Sequence, residues 1–196
     1  MPKLIDHAER ERELAEAAWR VAFRDGIRGL SVRNVAAEAG LATGSLRRAF
    51  PTQAALVAYC MDLVAERVRN RMLAVADQPS IRAAVELQLQ QILPLDEERC
   101  TEMAVFMAIG VAALSDAELR PTYDRVNTEL AVACRGFVQR LVDAGEAAAD
   151  IDITRTGAHM HALVDGLALH LLRERSGADT SWATRVLGDY LDELTA

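Results

Sequence analysis

Apolar residues recur every three or four positions along nearly the whole chain, which is the spacing of an amphipathic α-helix. Leu14, Ala18 and Val21 form the first such stripe, and it stops at Asp25-Gly26, where glycine favours the left-handed conformation of a helix end. No convincing segment alternates apolar and polar residues in the way a half-buried strand does. The pattern therefore predicts an all-α protein with about nine helices.

Capping residues, glycines and prolines divide this pattern into separate helices. Ser31 stands as an N-cap before a helix over residues 32–39, and Gly40 ends that helix. Thr43 begins a second short helix, and a long helix follows over residues 52–76. Further helices are predicted after Ser80 (broken at Pro94), after Asp96 and after Pro121, and the last two over residues 154–175 and 179–195.

The composition is that of a globular protein. Of the 196 residues, 51% are hydrophobic and 26% are charged, which excludes a disordered chain. No window of 18 residues is apolar and uncharged, so the sequence predicts no membrane span and no membrane partner. The first 20 residues are rich in acids and have no apolar signal core, so we expect a cytoplasmic protein. The three cysteines never form a C-x-x-C pair, and each is expected to be a small buried residue.

The charge is divided unevenly along the chain. The net charge is −7, yet residues 1–60 hold nine Lys and Arg against seven Asp and Glu, whereas residues 61–196 hold 13 against 22. Such an asymmetry between the two parts of a chain is a hint of nucleic-acid binding by the basic part. The N-terminal part is therefore where a DNA-binding motif is expected.

Residues 31–50 have the pattern of a helix-turn-helix unit, two short helices joined by a tight turn that contains glycine. Leu46 and Phe50 are expected to anchor the second helix against the first. The outward side then carries polar and small residues, with Arg33 on the preceding helix: Thr43, Gly44, Ser45, Arg47 and Arg48. Hydroxyls and backbone amides donate hydrogen bonds to phosphate oxygens, and arginine donates them to the major-groove edge of guanine. A plain helical hairpin with a solvated basic face is the alternative interpretation.

The motif continues on both sides, in AAWRVAFRDGIRGLSVRNVAAEAG and in LATGSLRRAFPTQAALV. With the glycine, the Ser/Thr cap and the terminal phenylalanine in register, this block resembles the DNA-binding domain of the TetR family of transcriptional regulators. The resemblance implies a homodimeric repressor with a DNA-binding domain over residues 1–52 and an effector-binding and dimerisation domain over residues 53–196. The candidate contacts to double-stranded DNA are Ser31, Arg33, Thr43, Gly44, Ser45, Arg47, Arg48 and Thr52.

Two residues depart from the family pattern. Ala49 stands where the family commonly has tyrosine or histidine before the phenylalanine, and Gln53 stands where a lysine often begins the next helix. Each departure removes a usual contact to the DNA backbone. Arg47 and Arg48 are expected to supply compensating charge.

The second half of the chain contains CTEMAVFMAIG, SDAELR and HALVDGLALHLL. These segments resemble the BetI-type regulatory domain, which implies a sensing role for a small-molecule effector. Polar residues that interrupt apolar stripes, together with adaptable methionines and aromatics, are the candidate effector contacts: Met61, Gln88, Met103, Phe106, Met107, Tyr123, Asn127 and His161. Taken singly, each of them suits a helical core as well as a pocket.

The two last helices are candidates for the dimer interface. The helix over residues 154–175 is apolar nearly all round, so it must be buried on more than one side. With the final helix it is expected to form a four-helix interface with a second copy, and the interface residues predicted are Met160, Leu163, Val164, Leu167, Leu171, Trp182, Val186 and Tyr190. The alternative is that both helices complete the core of one subunit.

No short motif of an enzyme occurs in the sequence, so no catalytic residue, metal site or cofactor is predicted. His161 and Asp165 share a helix face, and an ordinary hydrogen bond or ion pair accounts for them. The function predicted is a repressor that leaves an inverted-repeat operator when its effector binds. The alternative is a helical protein-interaction module that keeps this fold without specific DNA binding, and salt-dependent binding to a palindromic duplex separates the two.

Overall fold

The computed structural model describes residues 7–174 and 177–196, and every regular element in these ranges is an α-helix. The helices are α1 (His7–Gly29), α2 (Val32–Glu38), α3 (Thr43–Ala49), α4 (Gln53–Ala74), α5 (Ile81–Gln90), α6 (Glu97–Ala113), α7 (Arg120–Asp143), α8 (Ile153–Leu171) and α9 (Ser181–Leu194). The all-α fold expected from the sequence is confirmed. The expected stop at Asp25-Gly26 takes the form of a kink within α1, where Gly26 has φ 64°.

The chain divides into two compact units. One unit holds the residues up to Ala65 together with Val105–Tyr123, and the other holds Glu66–Ala104 together with Asp124–Ala196. The helices α4, α6 and α7 each contribute residues to both units. The boundary expected after residue 52 is a functional one, between DNA binding and effector binding, and it stays a prediction. Within the described ranges, no helix combines the length and the apolar character that crossing a bilayer requires.

Side-chain caps fix the starts of several helices where the sequence predicts them. The hydroxyl of Ser31 accepts a hydrogen bond from the backbone N–H of Asn34 at the start of α2, and Ser80 accepts one from Ala83 at the start of α5. At the start of α4 the hydroxyl of Thr52 accepts from Ala55. Each of these caps satisfies a backbone donor that has no partner inside its helix.

Three helix ends differ from the sequence-based expectation. The helix α4 ends at Ala74, two residues early, and α5 ends at Gln90 instead of continuing to Pro94. After α5 the backbone tightens, because Gln91 and Ile92 donate to the carbonyls of Gln88 and Leu89, three residues back. The helix α8 ends at Leu171, and position 175, where the sequence predicts the end, lies outside the described residues.

Long-range polar contacts fasten α5 inside the second unit. The carboxylate of Glu146 accepts hydrogen bonds from the backbone N–H groups of Ile81 and Arg82, at 2.8 and 2.7 Å. The guanidinium of Arg82 also binds the Asp192 carboxylate on α9 at 2.7 Å and the carbonyl of Gly188 at 3.1 Å. A carboxylate at a helix N-terminus satisfies the first amides and suits the positive end of the helix dipole.

Candidate DNA-binding, effector and dimer sites

The turn between α2 and α3 is built by one glycine and two backbone hydrogen bonds. Gly40 has φ 66°, a conformation that other residues rarely adopt. It donates to the carbonyl of Ala37 at 3.2 Å, and Leu41 donates to that of Ala36 at 2.8 Å. The turn therefore closes α2 and redirects the chain into α3.

Apolar residues on the inner sides of α2 and α3 determine which side of α3 faces outward. Val35, Ala36 and Leu46 are buried, and the ring of Phe50 contacts that of Tyr59 with 5.0 Å between centroids. With Leu46 pointing inward, Gly44, Arg47 and Arg48 are exposed, and Thr43 and Ser45 are half-buried. A Cβ added at Gly44 would meet no atom within 4 Å, so the backbone of α3 is open to close approach there.

Three arginines of the motif carry positive charge that no nearby carboxylate neutralises. Within the described part of the chain, Arg33, Arg47 and Arg48 are exposed and form no ion pair. By contrast, Arg20 and Arg24 on α1 both bind the Glu38 carboxylate on α2, at 2.8 and 2.9 Å. These hydrogen bonds hold the pKa of Glu38 below its ordinary value. The helix-turn-helix therefore presents these three arginines, and not Arg20 or Arg24, as its free positive charge in the described part of the chain.

The remaining predicted DNA contacts already have structural roles. The hydroxyls of Ser31 and Thr52 cap α2 and α4, so each offers a phosphate only its remaining hydrogen-bonding capacity. The side chain of Gln53 donates to the carbonyl of Leu30 at 3.0 Å and so joins the start of α4 to the turn before α2. Ala49 is exposed and brings no polar group to the surface. The two departures from the family pattern thus lie on this surface. The Gln53 side chain is engaged in a hydrogen bond within the protein, and Ala49 has no hydrogen-bond donor in its side chain.

Four of the predicted effector contacts lie in the first unit. Met61 is buried in α4, whereas Phe106, Met107 and Tyr123 are half-buried. The rings of Phe106 and Tyr123 stack with 5.4 Å between centroids and 26° between planes. The Tyr123 ring also lies over Gly110 of α6, where an added Cβ would be 2.7 Å from its Cε2 atom. The structure therefore brings Phe106 and Tyr123 together in one aromatic pair.

The other four predicted effector contacts lie in the second unit. Gln88 is only 6% exposed, and both ends of its amide are used: it donates to the carbonyl of Met72 and accepts from Arg140. Met103 is buried and Asn127 is half-buried. The Nε2 atom of His161 is buried and has no hydrogen-bond partner in the described chain, although Asp165 Oδ2 lies 3.5 Å away. Burial raises the pKa of the Asp165 carboxyl, and the nearby His161 opposes that shift.

The apolar stripe predicted to form the dimer interface lies inside the subunit. Met160, Val164, Leu167 and Leu171 are buried. A side chain without exposed surface has no area left to bury against a second copy. These four residues therefore pack in the core of the subunit, and the dimer interface itself stays a prediction.

A different face of α8 carries exposed apolar surface. Ala158 and Ala162 are exposed, and Leu169 is 41% exposed. Of the other predicted interface residues, Leu163, Trp182 and Tyr190 are half-buried, and Val186 on α9 is 40% exposed. The hydroxyl of Tyr190 donates to the carbonyl of Thr156, and the ring of Trp182 meets that of His170 edge-on at 6.5 Å. These contacts join α8 to α9 within one subunit.

Sequence reasoning did not find the charged contacts between helices. The Arg20 and Arg24 pairs with Glu38 and the Arg71 pair with Glu102 join residues that are 14 to 31 positions apart. Nothing in the spacing of a single sequence marks such partners. The one available signal was an acidic residue within an otherwise apolar helix face, as at Glu102 among Met103, Phe106 and Met107.

Comparison with known families gives two matches that together cover most of the chain. Residues 14–60 match the model described as bacterial regulatory proteins of the tetR family. Residues 81–196 match the model described as the C-terminal domain of BetI-type transcriptional repressors. The first match contains the helix-turn-helix, and the second contains α5 to α9.

Individual relatives agree with these matches. The chain is 33% identical to the HTH-type transcriptional regulator PksA of Bacillus subtilis (strain 168), over 99% of this chain and 94% of that protein. It is 28% identical to the HTH-type transcriptional regulator BetI of Burkholderia mallei (strain NCTC 10229), over 100% and 98%. Its fold is similar to the crystal structure of a TetR-family transcriptional regulator from Rhodococcus sp., with a TM-score of 0.84 at 22% identity, over 96% of this chain and 100% of that one.

Proposed function

The chain belongs to the TetR family of transcriptional regulators, and we propose that it is a homodimeric repressor released from an inverted-repeat operator by a small molecule. Membership of the family makes it a DNA-binding regulator rather than an enzyme. The proposal adds the repressor role, the dimer, the operator symmetry, the effector and a cytoplasmic site of action.

The exposed arginines of α3, the proposed recognition helix, are the observation that supports DNA binding. Arg47 and Arg48 are exposed beside Gly44, and Arg33 lies one helix earlier; none of the three forms an ion pair with a described residue. Arginine binds the O6 and N7 atoms of guanine and also phosphate oxygens, and the open backbone at Gly44 allows α3 to enter a major groove closely. One α3 helix contacts only a few base pairs, so specific binding needs two copies about 34 Å apart.

The exposed apolar face of α8 supports the dimer. Ala158, Ala162 and Leu169 follow one another at helical spacing, and Val186 on α9 adds exposed surface. Small side chains allow two helices to approach closely, and an isologous contact of this face with itself gives two-fold symmetry. A two-fold dimer binds an inverted repeat, because each half-site then meets the same surface.

The effector is proposed to bind in the C-terminal domain. His161 supports this, because its buried Nε2 atom has no hydrogen-bond partner in the described chain and an unsatisfied buried nitrogen costs stability. A polar group of a ligand would satisfy it. The ligand releases DNA only if it binds the released conformation more tightly than the DNA-bound one.

The test is selection of bound duplexes from a random DNA pool with the full chain. We expect an inverted repeat whose binding weakens steeply as salt rises. Arg47→Ala should weaken binding to the selected duplex by about tenfold or more and relax its base preference. Arg125→Ala, an exposed arginine that pairs with Glu129 on α7, is the control and should leave binding unchanged. If no sequence is enriched even at low salt, the repressor proposal fails and a protein-interaction module becomes the better account.

A further inference from the structure

An acidic residue lies within the exposed apolar face of α8. Asp165 is seven residues after Ala158 and four before Leu169, and both of these apolar residues are exposed. Residues three, four or seven positions apart lie on the same side of a helix, so the Asp165 carboxylate belongs to this face. Its side chain is 44% exposed. The stripe proposed to form the dimer therefore carries a carboxylate near its middle.

The neighbour of this carboxylate is an imidazole one helical turn earlier. The Nε2 atom of His161 lies 3.5 Å from Asp165 Oδ2. This nitrogen is buried and has no hydrogen-bond partner in the described chain. A nitrogen lone pair and a carboxylate oxygen repel each other, whereas a proton between them turns the contact into attraction. When no effector is bound, a proton therefore satisfies the nitrogen of this His161–Asp165 pair.

The ionisable groups that α7 and α9 bring toward the pair keep their charge between about pH 6 and pH 8. Cys134 of α7 interacts electrostatically with Asp165, and burial raises the pKa of its thiol to about 12, so it stays neutral. Burial also raises the pKa of Tyr190 on α9, so its phenol stays protonated. Arg135 of α7, which packs on Gly157, stays positive. Histidine is the side chain that ordinarily changes charge in this range.

Two copies of α8 would bring their carboxylates together. A two-fold contact of a stripe with itself has its axis near the middle of the stripe, so the two Asp165 side chains meet close to that axis. Burial already raises the pKa of this carboxyl in the single subunit, and His161 opposes the shift. The contact removes more water, and like charges that lose water repel each other more strongly. One proton on each pair cancels both charges.

The arginines of the same face are too distant to replace that proton. Arg155 and Arg173 are exposed on α8, ten residues before and eight residues after Asp165. These separations are about 15 and 12 Å along the helix axis. Salt at physiological strength screens exposed charges over about 8 Å. The dimer is therefore expected to hold more protons than two separate subunits.

We propose that the His161–Asp165 pair makes dimerisation of this chain depend on pH, with the tightest dimer at mildly acidic pH, where each pair holds a proton. The inference rests on the proposed function, because it concerns the regulation of the dimer proposed there. The state that holds more protons is favoured as the pH falls. Two protons taken up per dimer would lower Kd by up to about a hundredfold per pH unit. At concentrations near Kd, acidification would raise the fraction of chains able to bind both half-sites.

The experiment measures Kd of the dimer by analytical ultracentrifugation at pH 8, 7 and 6. The wild-type Kd should fall about tenfold or more from pH 8 to pH 6. Asp165→Asn keeps the shape and removes the charge, so at pH 8 it should dimerise about as tightly as the wild type does at pH 6, with little further change.

Two control variants separate this pair from general effects of charge. His159→Gln removes an exposed histidine of the same helix, and Asp143→Asn removes an exposed carboxylate of α7. Acidification lowers the net charge of −7 in every variant, so its general effect is common to all of them. Both controls should keep the pH dependence of the wild type.

Calorimetry counts the protons directly. Dilution of the dimer at pH 7, in two buffers of different ionisation enthalpy, should release about one to two protons per dimer from the wild type and close to none from Asp165→Asn. If Asp165→Asn does not fold, His161→Gln takes its place in both measurements and should lose the response between pH 8 and pH 6.

The outcomes separate this inference from the dimer itself. A wild-type dimer whose Kd does not fall with pH, or an Asp165→Asn dimer that keeps the full pH dependence, would overturn the inference and leave the proposed dimer standing. A wild type that is monomeric at every pH would overturn both.

Discussion

At the scale of single residues, Gly110 shows how the absence of a side chain can be a packing requirement. The Tyr123 ring lies so close to α6 that a Cβ at this position would be 2.7 Å from Cε2 and 3.1 Å from Cζ. The same ring stacks on Phe106, with 5.4 Å between the centroids. Gly136 of α7 differs from Gly110, because a Cβ added there would have no other atom within 4 Å.

Gly110→Ala is therefore expected to destabilise the protein by about 1–3 kcal/mol, since overpacking forces the aromatic pair to shift. Gly136→Ala should stabilise it by about 0.5–1 kcal/mol, because alanine loses less conformational freedom in an exposed helix. Thermal unfolding followed by circular dichroism measures both. Equal melting temperatures for the two variants would contradict the account of Gly110.

The same scale shows what one sequence can and cannot predict. Ser31 caps α2 and Gly40 ends it as expected, because caps and left-handed glycines depend on neighbours only a few positions away. Gln88 interrupts an apolar stripe, and this marked it as a candidate ligand contact. Its partners, Met72 and Arg140, are 16 and 52 positions away. No local rule could have indicated that its amide would already be occupied.

At the scale of elements, α4 and α7 each contain a buried cysteine thiol, so local opening of these helices can be followed by the rate of thiol modification. Burial raises the pKa of Cys60 in α4 and of Cys134 in α7 to about 12. Cys100 in α6 is only partly buried, and its thiol lies 3.3 Å from the carbonyl of Pro94. Because the thiolate is the reactive form, a pKa of 12 leaves about one thiolate in ten thousand at pH 8.

In the native protein at pH 8, iodoacetamide should therefore modify Cys100 first and Cys60 and Cys134 far more slowly. Raising the pH toward 10 should accelerate all three reactions, since each raised pKa lies above the starting pH and the thiolate fraction grows with pH. Mass spectrometry of peptides gives the three rates, and denaturant should make them similar. Rapid modification of Cys134 in the native state would mean that α7 opens readily.

Helix α8 shows where the periodicity of a sequence becomes ambiguous. A helix that is apolar nearly all round offers several stripes, and the sequence cannot tell which one faces the core of its own subunit. The stripe through Met160 and Val164 is the buried one, and the exposed face runs through Ala158, Ala162 and Leu169. The alanines only weakly indicated that this face is exposed. A prediction of the buried face from sequence is dominated by the large apolar side chains, which are the ones most often buried.

At the scale of the whole molecule, the proposed dimer depends on that small-residue face. Ala162→Glu would place a charge in the middle of it, where pairing of two copies would bury two like charges close together. We expect the wild type to sediment as a dimer and this variant as a folded monomer, in analytical ultracentrifugation at micromolar concentration. Val132→Glu on α7, which replaces another exposed apolar residue, should leave the dimer intact. A monomeric wild type, or a dimeric Ala162→Glu, would remove α8 from the interface.

The long-range polar contacts of α5 have a consequence for folding during synthesis, because their partners lie far along the chain. The backbone N–H groups of its first two residues bind Glu146, which is synthesised 65 and 64 residues later. Its Arg82 side chain binds Asp192, which is synthesised 110 residues later. A ribosome adds about 5–20 residues per second, so these partners arrive several to roughly 20 s after α5 has left the exit tunnel. During that interval its apolar side has no α9 to cover it. The turn and the caps of the helix-turn-helix are closed by residues within the first 60, so this motif can form meanwhile. During synthesis α5 is therefore a segment on which a chaperone has several seconds or more to act.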